Sequence, residues 1–372
     1  MTILVMIKQT LITTLHNMID LRSDTVTTPT LLMREFMTKA VVGDDAYGED
    51  RSVNKLQNYC KELFHVEDAL FVTSGMLANR LAILTQTSPG DEVITDYSYH
   101  INFFDSAAAA SVCHVVLNTC HTSDGILTAN TVEKALLSKP RYINFAQVKL
   151  VSIENTVNGH AGKIFPFEEI KKLKIYTEQK DLSLHLDGAR LFNAHVETSI
   201  PLYEYAKYTD TLSVCFSKGL GAPFGSMLMG KKEIIEKAKR FRGWLGGGGH
   251  QMGFNASAAL YAIKNHLPCL KKDRELTQLL AFKLKNISEI DVDIEPETNI
   301  VQFSIKRLFT TNDIFLDHCH QKGLLLFPWL PTIMRAVIHR PLTEQDVVKA
   351  VKIIQEVICE INKKHVEKIT HD

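Results

Sequence analysis

The sequence has little that would tie the protein to nucleic acid or to a membrane. Its 372 residues carry 42 Lys and Arg against 42 Asp and Glu, so the formal net charge at pH 7 is zero. A balanced charge argues against a protein that binds nucleic acid through its overall charge. Charged residues or Gly interrupt every long apolar run before the roughly 18 residues that a membrane-spanning helix needs. We therefore expect a globular protein with no nucleic-acid or membrane partner, and its hydrophobic share of 45% is ordinary for that class.

The seven cysteines lack the spacing of a metal site or of a disulfide framework. No two of them form a Cys-x-x-Cys pair, and an odd count cannot be paired completely. This use of cysteine is typical of a reduced enzyme, so we expect a cytoplasmic protein without a bound metal. The mildly apolar stretch of residues 1–17 contains Lys8 and precedes no small-residue cleavage site. We interpret it as an N-terminal extension, with Met18 as an alternative start.

Short apolar segments alternate with amphipathic segments through the middle of the chain. Six segments have the length and composition of buried strands: DALFV, DEVITD, SVCHVVLN, KLVSIEN, LSLHLD and LSVCFS. Helical patterns such as MLANRLAILT and FEEIKKLKIYTEQK separate them. This alternation predicts an α/β fold with a mostly parallel sheet and helices on both faces. From about residue 270 the pattern becomes α+β, so we place a large domain at residues 18–265, including an N-terminal arm at 18–50, and a smaller domain at residues 266–372.

Two charged residues end predicted strands. Lys218 follows the strand LSVCFS, and Asp187 ends the strand LSLHLD. Functional groups of parallel sheets lie at the carboxyl ends of the strands. Burial lowers the pKa of an amine toward the nucleophilic range, and a carboxylate beside it can hold the protonated ring nitrogen of a pyridoxal cofactor. Each residue alone could be a strand-end cap or half of an ion pair, but the two together favour pyridoxal chemistry.

Several other residues are candidates for binding or catalysis. Ser74 and Gly75 open a helix after a strand, where free backbone N–H groups could bind a phosphate, although a simple N-cap is the more ordinary explanation. His100 follows a strand and could be catalytic or a satisfied core residue. Arg190 and Arg335 carry guanidinium groups that bind carboxylates through two parallel hydrogen bonds, or each could form a structural ion pair.

Long motifs between residues 18 and 350 resemble those of one enzyme family. The segments are IDLRSDTVTTPT, VVGDDAYGEDRSVNKL, TSGMLANRLAIL, IENTVNG, LHLDGARLFNA and SKGLGAPFGSMLMG. They are similar to the low-specificity threonine aldolases, a group of the aromatic amino acid β-eliminating lyase-like enzymes. The resemblance implies pyridoxal 5′-phosphate as the cofactor. It also implies the aspartate aminotransferase fold (fold type I), with a mostly parallel sheet of the seven-stranded type and a smaller C-terminal α+β domain.

The resemblance implies a role for each candidate residue. Lys218 is similar to the lysine that binds the cofactor covalently, Asp187 to the partner of the ring nitrogen, and His100 to the histidine that stacks on the ring. Ser74 and Gly75 correspond to the turn that binds the cofactor phosphate. Three residues correspond to the groups that hold the substrate carboxylate: Ser23, Arg190 and Arg335.

Three positions of the expected site differ from the family pattern. Met76 stands in the phosphate-binding turn where the family usually has a threonine, so a hydroxyl donor is missing. Asn144 stands where the family usually has a histidine close to the β-hydroxyl of the substrate. His250 follows four glycines where the family usually has an arginine near the cofactor phosphate. The first and third changes concern cofactor binding, and the second concerns the chemistry.

The leading interpretation is a lyase that cleaves the Cα–Cβ bond of a β-hydroxy-α-amino acid such as threonine or allo-threonine, giving glycine and acetaldehyde. His100 is then the remaining candidate for the base at the β-hydroxyl, because imidazole titrates near neutrality. An alternative keeps the cofactor but catalyses β-elimination, racemisation or decarboxylative condensation, and the amide of Asn144 favours it because an amide cannot act as a base. A third interpretation is an inactive family member kept as a binding protein. The family implies homodimers or homotetramers that act on a small-molecule amino acid.

Overall fold

The structure, a computed structural model, describes residues 18–306 and 311–371. Residues 1–17, which the sequence assigned to an N-terminal extension, lie outside the described residues. The chain divides into two compact units. The larger unit comprises Thr27–Lys271, and the smaller unit combines the described residues before Thr27 with those from Lys272 onward.

The strands of the described residues are numbered here in chain order. They are β1 (Ile19–Asp20), β2 (Asp68–Val72), β3 (Glu92–Asp96), β4 (Val116–Cys120), β5 (Val148–Glu154), β6 (Ser183–Gly188), β7 (Thr211–Cys215), β8 (Ser226–Gly230), β9 (Ile290–Asp291), β10 (Ile300–Ile305), β11 (Leu324–Leu325), β12 (Phe327–Leu330) and β13 (Ile333–Val337).

The α-helices of the described residues are numbered in the same way. They are α1 (Leu31–Thr38), α2 (Arg51–Phe64), α3 (Gly75–Gln86), α4 (His100–Phe103), α5 (Ser106–Ser111), α6 (Ala129–Leu137), α7 (Phe167–Gln179), α8 (Leu191–Thr198), α9 (Leu202–Lys207), α10 (Lys232–Trp244), α11 (Gly253–His266), α12 (Cys269–Lys285), α13 (Asn312–Gln321) and α14 (Glu344–His371). None of these helices is long and apolar enough to cross a membrane.

The larger unit is built on a seven-stranded sheet with the order β2-β8-β7-β6-β5-β3-β4. Strand β8 runs antiparallel to β2 and β7, whereas the other neighbouring strands are parallel. The central strands are almost continuously buried, as in β6 and β7, because helices cover both faces of such a sheet. The predicted α/β fold with a mostly parallel sheet flanked by helices is confirmed.

One predicted strand is shorter than its sequence indicated. The apolar segment SVCHVVLN starts at Ser111, but β4 begins only at Val116. Ser111 is the last residue of helix α5, and His114 has a left-handed backbone with φ of 55°. A left-handed residue ends the extended conformation, so the first part of the segment forms a turn between helix and strand.

The smaller unit contains a four-stranded antiparallel sheet with the order β12-β13-β10-β9. A second pairing in this unit is parallel and joins β1 to β11, with Ile19 opposite Leu324. Ile19 and Leu21 are buried in the core of this unit. Residues 18–26 therefore group with the C-terminal part of the chain, whereas the sequence placed them in the arm of the large domain. The boundary between the two units that follows Lys271 lies inside α12, a few residues beyond the expected domain boundary near residue 265.

Candidate active site

Residues from five strands of the larger unit lie at the same edge of its sheet. Asp187 is the second-last residue of β6, Glu154 is the last residue of β5, and Lys218 lies three positions after the end of β7. His100 begins α4 after β3, and Ser74 precedes α3 after β2. Because these five strands run in the same direction, their carboxyl ends meet at one edge, where ligands of open α/β sheets bind. The fold thus gathers four of the predicted residues of the larger unit with one that was not predicted, Glu154.

The Asp187 carboxylate is buried and fixed by hydrogen bonds. Asn79 donates from Nδ2 to Asp187 Oδ2 at 2.7 Å, and the backbone N–H of Ala189 donates to Oδ1 at 3.0 Å. The backbone of Asp187 also accepts a hydrogen bond from the N–H of Asn155, at 2.9 Å. Hydrogen bonds to both oxygens fix the orientation of the carboxylate, so it can face a cationic group at this edge.

The His100 ring is half-buried, and its burial favours the neutral form. Burial is the main reason why the pKa of His100 is below its usual value of 6.5. The positive charges of Lys218 and Arg190 lower this pKa further, and the negative charge of Asp187 opposes them. The ring centre lies 4.9 Å from that of Phe104, and Nδ1 is buried without a hydrogen-bond partner. A neutral imidazole with an unused nitrogen can accept a proton.

Glu154 is a functional candidate that the sequence analysis missed. Its carboxylate accepts hydrogen bonds from the backbone N–H of His100 at 2.6 Å and of Asn158 at 2.7 Å. Burial, followed by the negative charge of Asp187 on the neighbouring strand, raises the pKa of Glu154 to about 7, although the two N–H groups and Lys218 oppose the shift. The available signal was a carboxylate that ends the strand KLVSIE in the way that Asp187 ends LSLHLD.

Arg190 and Lys218 bring the positive charge to this edge of the sheet. Arg190 is buried at the start of α8, and its Nη1 lies 3.3 Å from Asn158 Oδ1, to which it donates. Lys218 is half-buried in the turn after β7, where its carbonyl oxygen accepts from the N–H of Gly221 at 2.8 Å. Both charges act on the pKa of His100, so both side chains lie within electrostatic reach of its ring.

The predicted phosphate-binding turn forms the start of helix α3. Ser74 is the N-cap, and its hydroxyl accepts a hydrogen bond from the N–H of Leu77 at 3.2 Å. A Cβ atom at Gly75 would lie 2.7 Å from the sulfur of Cys215, so glycine lets the helix start approach strand β7. Met76 is exposed, with 42% of its surface accessible. The first turn of a helix offers free N–H groups and the positive end of its dipole, which suit an anionic group.

Two predicted residues belong to the smaller unit. Ser23 lies just after β1, and Arg335 is buried on strand β13. Arg335 donates from Nη2 to the carbonyl oxygen of Arg22 at 3.1 Å. Its guanidinium carbon is 4.7 Å from the ring centre of Phe327 and 5.0 Å from that of Trp329. These contacts orient the guanidinium within its own unit, and its assignment to the substrate carboxylate stays a prediction.

The other two residues that differ from the family pattern, Asn144 and His250, are exposed. Asn144 lies in the turn between Tyr142 and Phe145 that precedes β5. The side chain of His250 is 82% exposed, and its Nδ1 lies 2.9 Å from Asp44 Oδ2. The structure does not bring either side chain into contact with Lys218, so the assignments of Asn144 to the substrate and of His250 to the cofactor phosphate stay predictions.

The residues at this edge fit a polar, anionic cofactor. The buried polar atoms without a hydrogen-bond partner in the described residues include His100 Nδ1 and, just after β5, Asn155 Nδ2 and Thr156 Oγ1. Buried polar atoms are rarely left without a partner, so these three are suited to a bound polar group. Together with an amine, a buried carboxylate and a helix N-terminus, they supply the donors and charges that pyridoxal 5′-phosphate requires.

The fold and this set of residues define a pyridoxal-phosphate enzyme of fold type I. The chain belongs to the β-eliminating lyase family, whose model matches residues 20–307. It is 42% identical to the low-specificity L-threonine aldolase of Escherichia coli K12 over 72% of this chain and 79% of the relative. It is 34% identical to low-specificity L-threonine aldolase 1 of Arabidopsis thaliana over 88% of this chain and 93% of the relative.

Solved structures agree with this assignment at the level of the fold. The threonine aldolase of Leishmania major superposes with a TM-score of 0.78 at 20% identity, over 91% of this chain and 99% of that chain. The family, the lyase class and pyridoxal 5′-phosphate as cofactor, all predicted from the sequence, are confirmed.

Proposed function

We propose that the protein cleaves the Cα–Cβ bond of a β-hydroxy-α-amino acid and converts threonine or allo-threonine into glycine and acetaldehyde. One observation carries the proposal: Lys218 and Asp187 lie at the carboxyl ends of neighbouring strands in a chain that is 34–42% identical to low-specificity L-threonine aldolases. Both products follow from the substrate without an oxidant, a reductant or water, because the proton of the β-hydroxyl is lost and the Cα carbon gains one.

The cofactor chemistry depends on two residues of the larger unit. When bound, pyridoxal 5′-phosphate accepts the electron pair that is released as a bond to Cα breaks. The Lys218 amine would hold the cofactor covalently. The Asp187 carboxylate would keep a proton on the ring nitrogen, and hydrogen bonds from Asn79 and Ala189 hold it in place. The N-terminus of α3, at Ser74 and Gly75, would bind the phosphate, with Met76 and His250 as the predicted neighbours.

The substrate would be held and deprotonated by other residues. Arg190 supplies a guanidinium for the substrate carboxylate, and the family resemblance adds Ser23 and Arg335 from the smaller unit. His100 would accept the proton of the β-hydroxyl, since its lowered pKa leaves the ring neutral at physiological pH. The hydrogen bond from the backbone of His100 to Glu154 fixes the start of the helix that carries this ring.

A second candidate function uses the same cofactor but breaks a different bond of the substrate, as in β-elimination, racemisation or decarboxylative condensation. The observation that favours it is Asn144, an exposed amide at the position of the family histidine. An amide cannot accept a proton at neutral pH, so a pocket that relied on that histidine would be slow in aldol cleavage.

Product analysis separates the two candidates. Purified holoenzyme is incubated with L-threonine, L-allo-threonine and L-serine, and glycine, aldehyde, keto acid and the stereochemistry at Cα are measured. The proposal expects equimolar glycine and acetaldehyde from at least one threonine isomer, and no such products from the Lys218→Ala variant. Keto acid or racemised substrate without glycine would establish the second candidate instead.

We also propose that the enzyme works in the cytoplasm as a homodimer or homotetramer. The support is a set of large apolar side chains that one copy of the larger unit leaves exposed: Leu31, Leu32, Val41, Tyr47 and Trp244, which are 56–79% accessible. Covering such side chains with a second copy removes apolar surface from water, which favours association. Light scattering on the purified protein would show a monomer if this proposal is wrong.

A further inference from the structure

A row of polar side chains lies on one face of the sheet, next to the candidate active site. His185 and Asp187 lie two residues apart on β6 and therefore face the same side of the sheet. Their partners on β7 are Thr211 and Ser213, in register. All four side chains belong to residues that are at least 95% buried. A buried imidazole between two strands needs partners for both of its nitrogens.

Helix α3, which covers this face, supplies the two residues that complete the row. Asn79 lies on its first turns and Gln86 is its last residue, seven positions later, so both can face the sheet. The contacts form one continuous path: Gln86 Nε2 to Thr211 Oγ1 at 2.9 Å, Thr211 Oγ1 to His185 Nδ1 at 2.9 Å, His185 Nε2 to Asn79 Oδ1 at 3.1 Å, and Asn79 Nδ2 to Asp187 Oδ2 at 2.7 Å.

The chemistry of these groups fixes the direction of every bond. An ionised carboxylate only accepts, so Asn79 must present its NH2 group to Asp187, which turns its Oδ1 toward His185. That oxygen also only accepts, so the proton of His185 is on Nε2. The Nδ1 atom of a neutral ring then accepts from the Thr211 hydroxyl, whose oxygen is left to accept from Gln86. Gln86 is oriented independently, because its Nε2 also donates to the carbonyl oxygen of Ala82 at 2.8 Å.

We propose that His185, in its Nε2-protonated neutral form, is a positioning residue that acts through Asn79 to hold the Asp187 carboxylate in one orientation. The inference rests on the proposed function, in which Asp187 partners the ring nitrogen of the cofactor. If the Asn79 amide turned over, its oxygen would face the carboxylate and repel it. The N–H of His185, supported by the Ser213 hydroxyl at 3.2 Å from the same oxygen, prevents that turn.

The burial of His185 keeps it in this form. Removal from water lowers the pKa of His185 to about 4, and the negative charge of Asp187 opposes the shift only in part. The ring therefore stays neutral at physiological pH, and it donates one N–H rather than two. The side chains in contact with it, those of Thr211 and Asn79, are uncharged. A hydrogen bond to the backbone of Thr211 also raises this pKa, but it does not cancel the effect of burial.

A set of variants tests whether His185 acts through Asp187. His185→Leu removes the donor, and His185→Gln keeps an N–H at nearly the place of Nε2. The loss of a buried hydrogen bond of this kind changes an equilibrium constant or a rate constant by about a factor of 5 or more. We expect His185→Leu to lower kcat at least about fivefold and to weaken cofactor binding several-fold, with KM for the amino acid nearly unchanged. His185→Gln should recover most of both losses.

A double-mutant cycle with Asp187→Asn separates positioning from a general structural role. Coupled residues give non-additive effects, whereas independent ones add. The proposal expects His185→Leu to change the cofactor dissociation constant of the Asp187→Asn protein by less than about twofold. Additive losses would overturn the proposal and leave the proposed function standing. An Asp187→Asn enzyme with wild-type kcat and cofactor affinity would overturn both.

The tautomer can be measured on the wild-type protein without cofactor, which keeps the proposal testable if a variant fails to fold. The protein is labelled with ¹⁵N-histidine, and the His185 signals are those that disappear in His185→Gln or, failing that, those protected from solvent exchange. The proposal expects protonated Nε2 and unprotonated Nδ1 from pH 6 to pH 8. A proton on Nδ1 in this range would reverse the hydrogen-bond path and overturn the proposal.

Discussion

The substitution Asp273→Asn tests the electrostatics of the smaller unit in a single change. Asp273 lies on α12, is only 1% exposed, and has an Oδ2 atom without a hydrogen-bond partner. Burial, followed by the negative charge of Asp24, raises the pKa of Asp273 to about 7 from a usual value of 3.8. The positive charges of Arg340 and Lys272 offset only part of this shift.

The size of the effect follows from the difference between the folded and unfolded pKa values. Because the folded pKa is raised, the folded state holds a proton that the unfolded state has lost between about pH 4 and pH 7. Stability is therefore lost as the pH rises through that window, at about 1.4 kcal/mol per pH unit. The total is on the order of 4 kcal/mol above pH 7. An uncharged amide avoids this cost, so Asp273→Asn should become more stabilising by roughly 2–3 kcal/mol between pH 5 and pH 8.

The assay is urea unfolding at the two pH values, with a fluorophore that reports on the smaller unit. The chain has two tryptophans, and Trp329 is the buried one in this unit. Replacing the exposed Trp244 by Phe leaves Trp329 as the only tryptophan signal. Asp293→Asn, at an exposed position of the same unit, is the matched control and should show no such trend. Equal stabilisation by Asp273→Asn at pH 5 and pH 8 would refute the reasoning.

Three further predictions concern the active site. Glu154→Gln should change the pH profile of kcat/KM near pH 7, because the carboxylate that holds the backbone of His100 has a pKa of about 7 and the amide does not titrate; an unchanged profile would show that the charge of Glu154 does not affect turnover. Asn144→His should raise threonine cleavage by about tenfold or more, since general acid–base help is typically worth 10²–10⁴-fold; an unchanged rate with cofactor bound would favour the second candidate function. His250→Arg should bind the cofactor more tightly at high pH and with a flatter pH profile, as seen by cofactor titration. If the plots of cofactor affinity against pH were parallel for the two proteins, His250 would not contact the cofactor phosphate.

The parts of the site that the sequence predicted have a local signature. Asp187 and Lys218 each follow a short apolar run, and a charged residue at the end of a buried strand is visible without knowing its neighbours. Ser74 and Gly75 are visible for a similar reason, because a small polar residue and a glycine mark the change from strand to helix. The structure places each of them where the strand pattern indicated.

The parts that were missed depend on contacts between distant residues. His185 looks like one polar residue within an apolar strand, and its role emerges only when Asn79, more than 100 positions away, faces it. The contact of His250 with Asp44 joins residues 206 positions apart, so nothing near either residue indicates it. Asp273 lies in an amphipathic helical pattern, where an acidic residue is normally exposed. Asp24, whose negative charge raises the pKa of Asp273, belongs to the segment 18–26 that the sequence assigned to the other domain.

The central claim is that Lys218 holds pyridoxal 5′-phosphate at the carboxyl edge of the sheet, and one measurement tests it directly. The holoenzyme is reduced with borohydride and digested, and the peptides are sequenced by mass spectrometry, with Lys218→Ala treated in parallel. The account predicts a reduced pyridoxyl group on the peptide that contains Lys218 and no covalently attached cofactor in the variant. The same group on another lysine of the wild-type protein, or at wild-type level in Lys218→Ala, would contradict it.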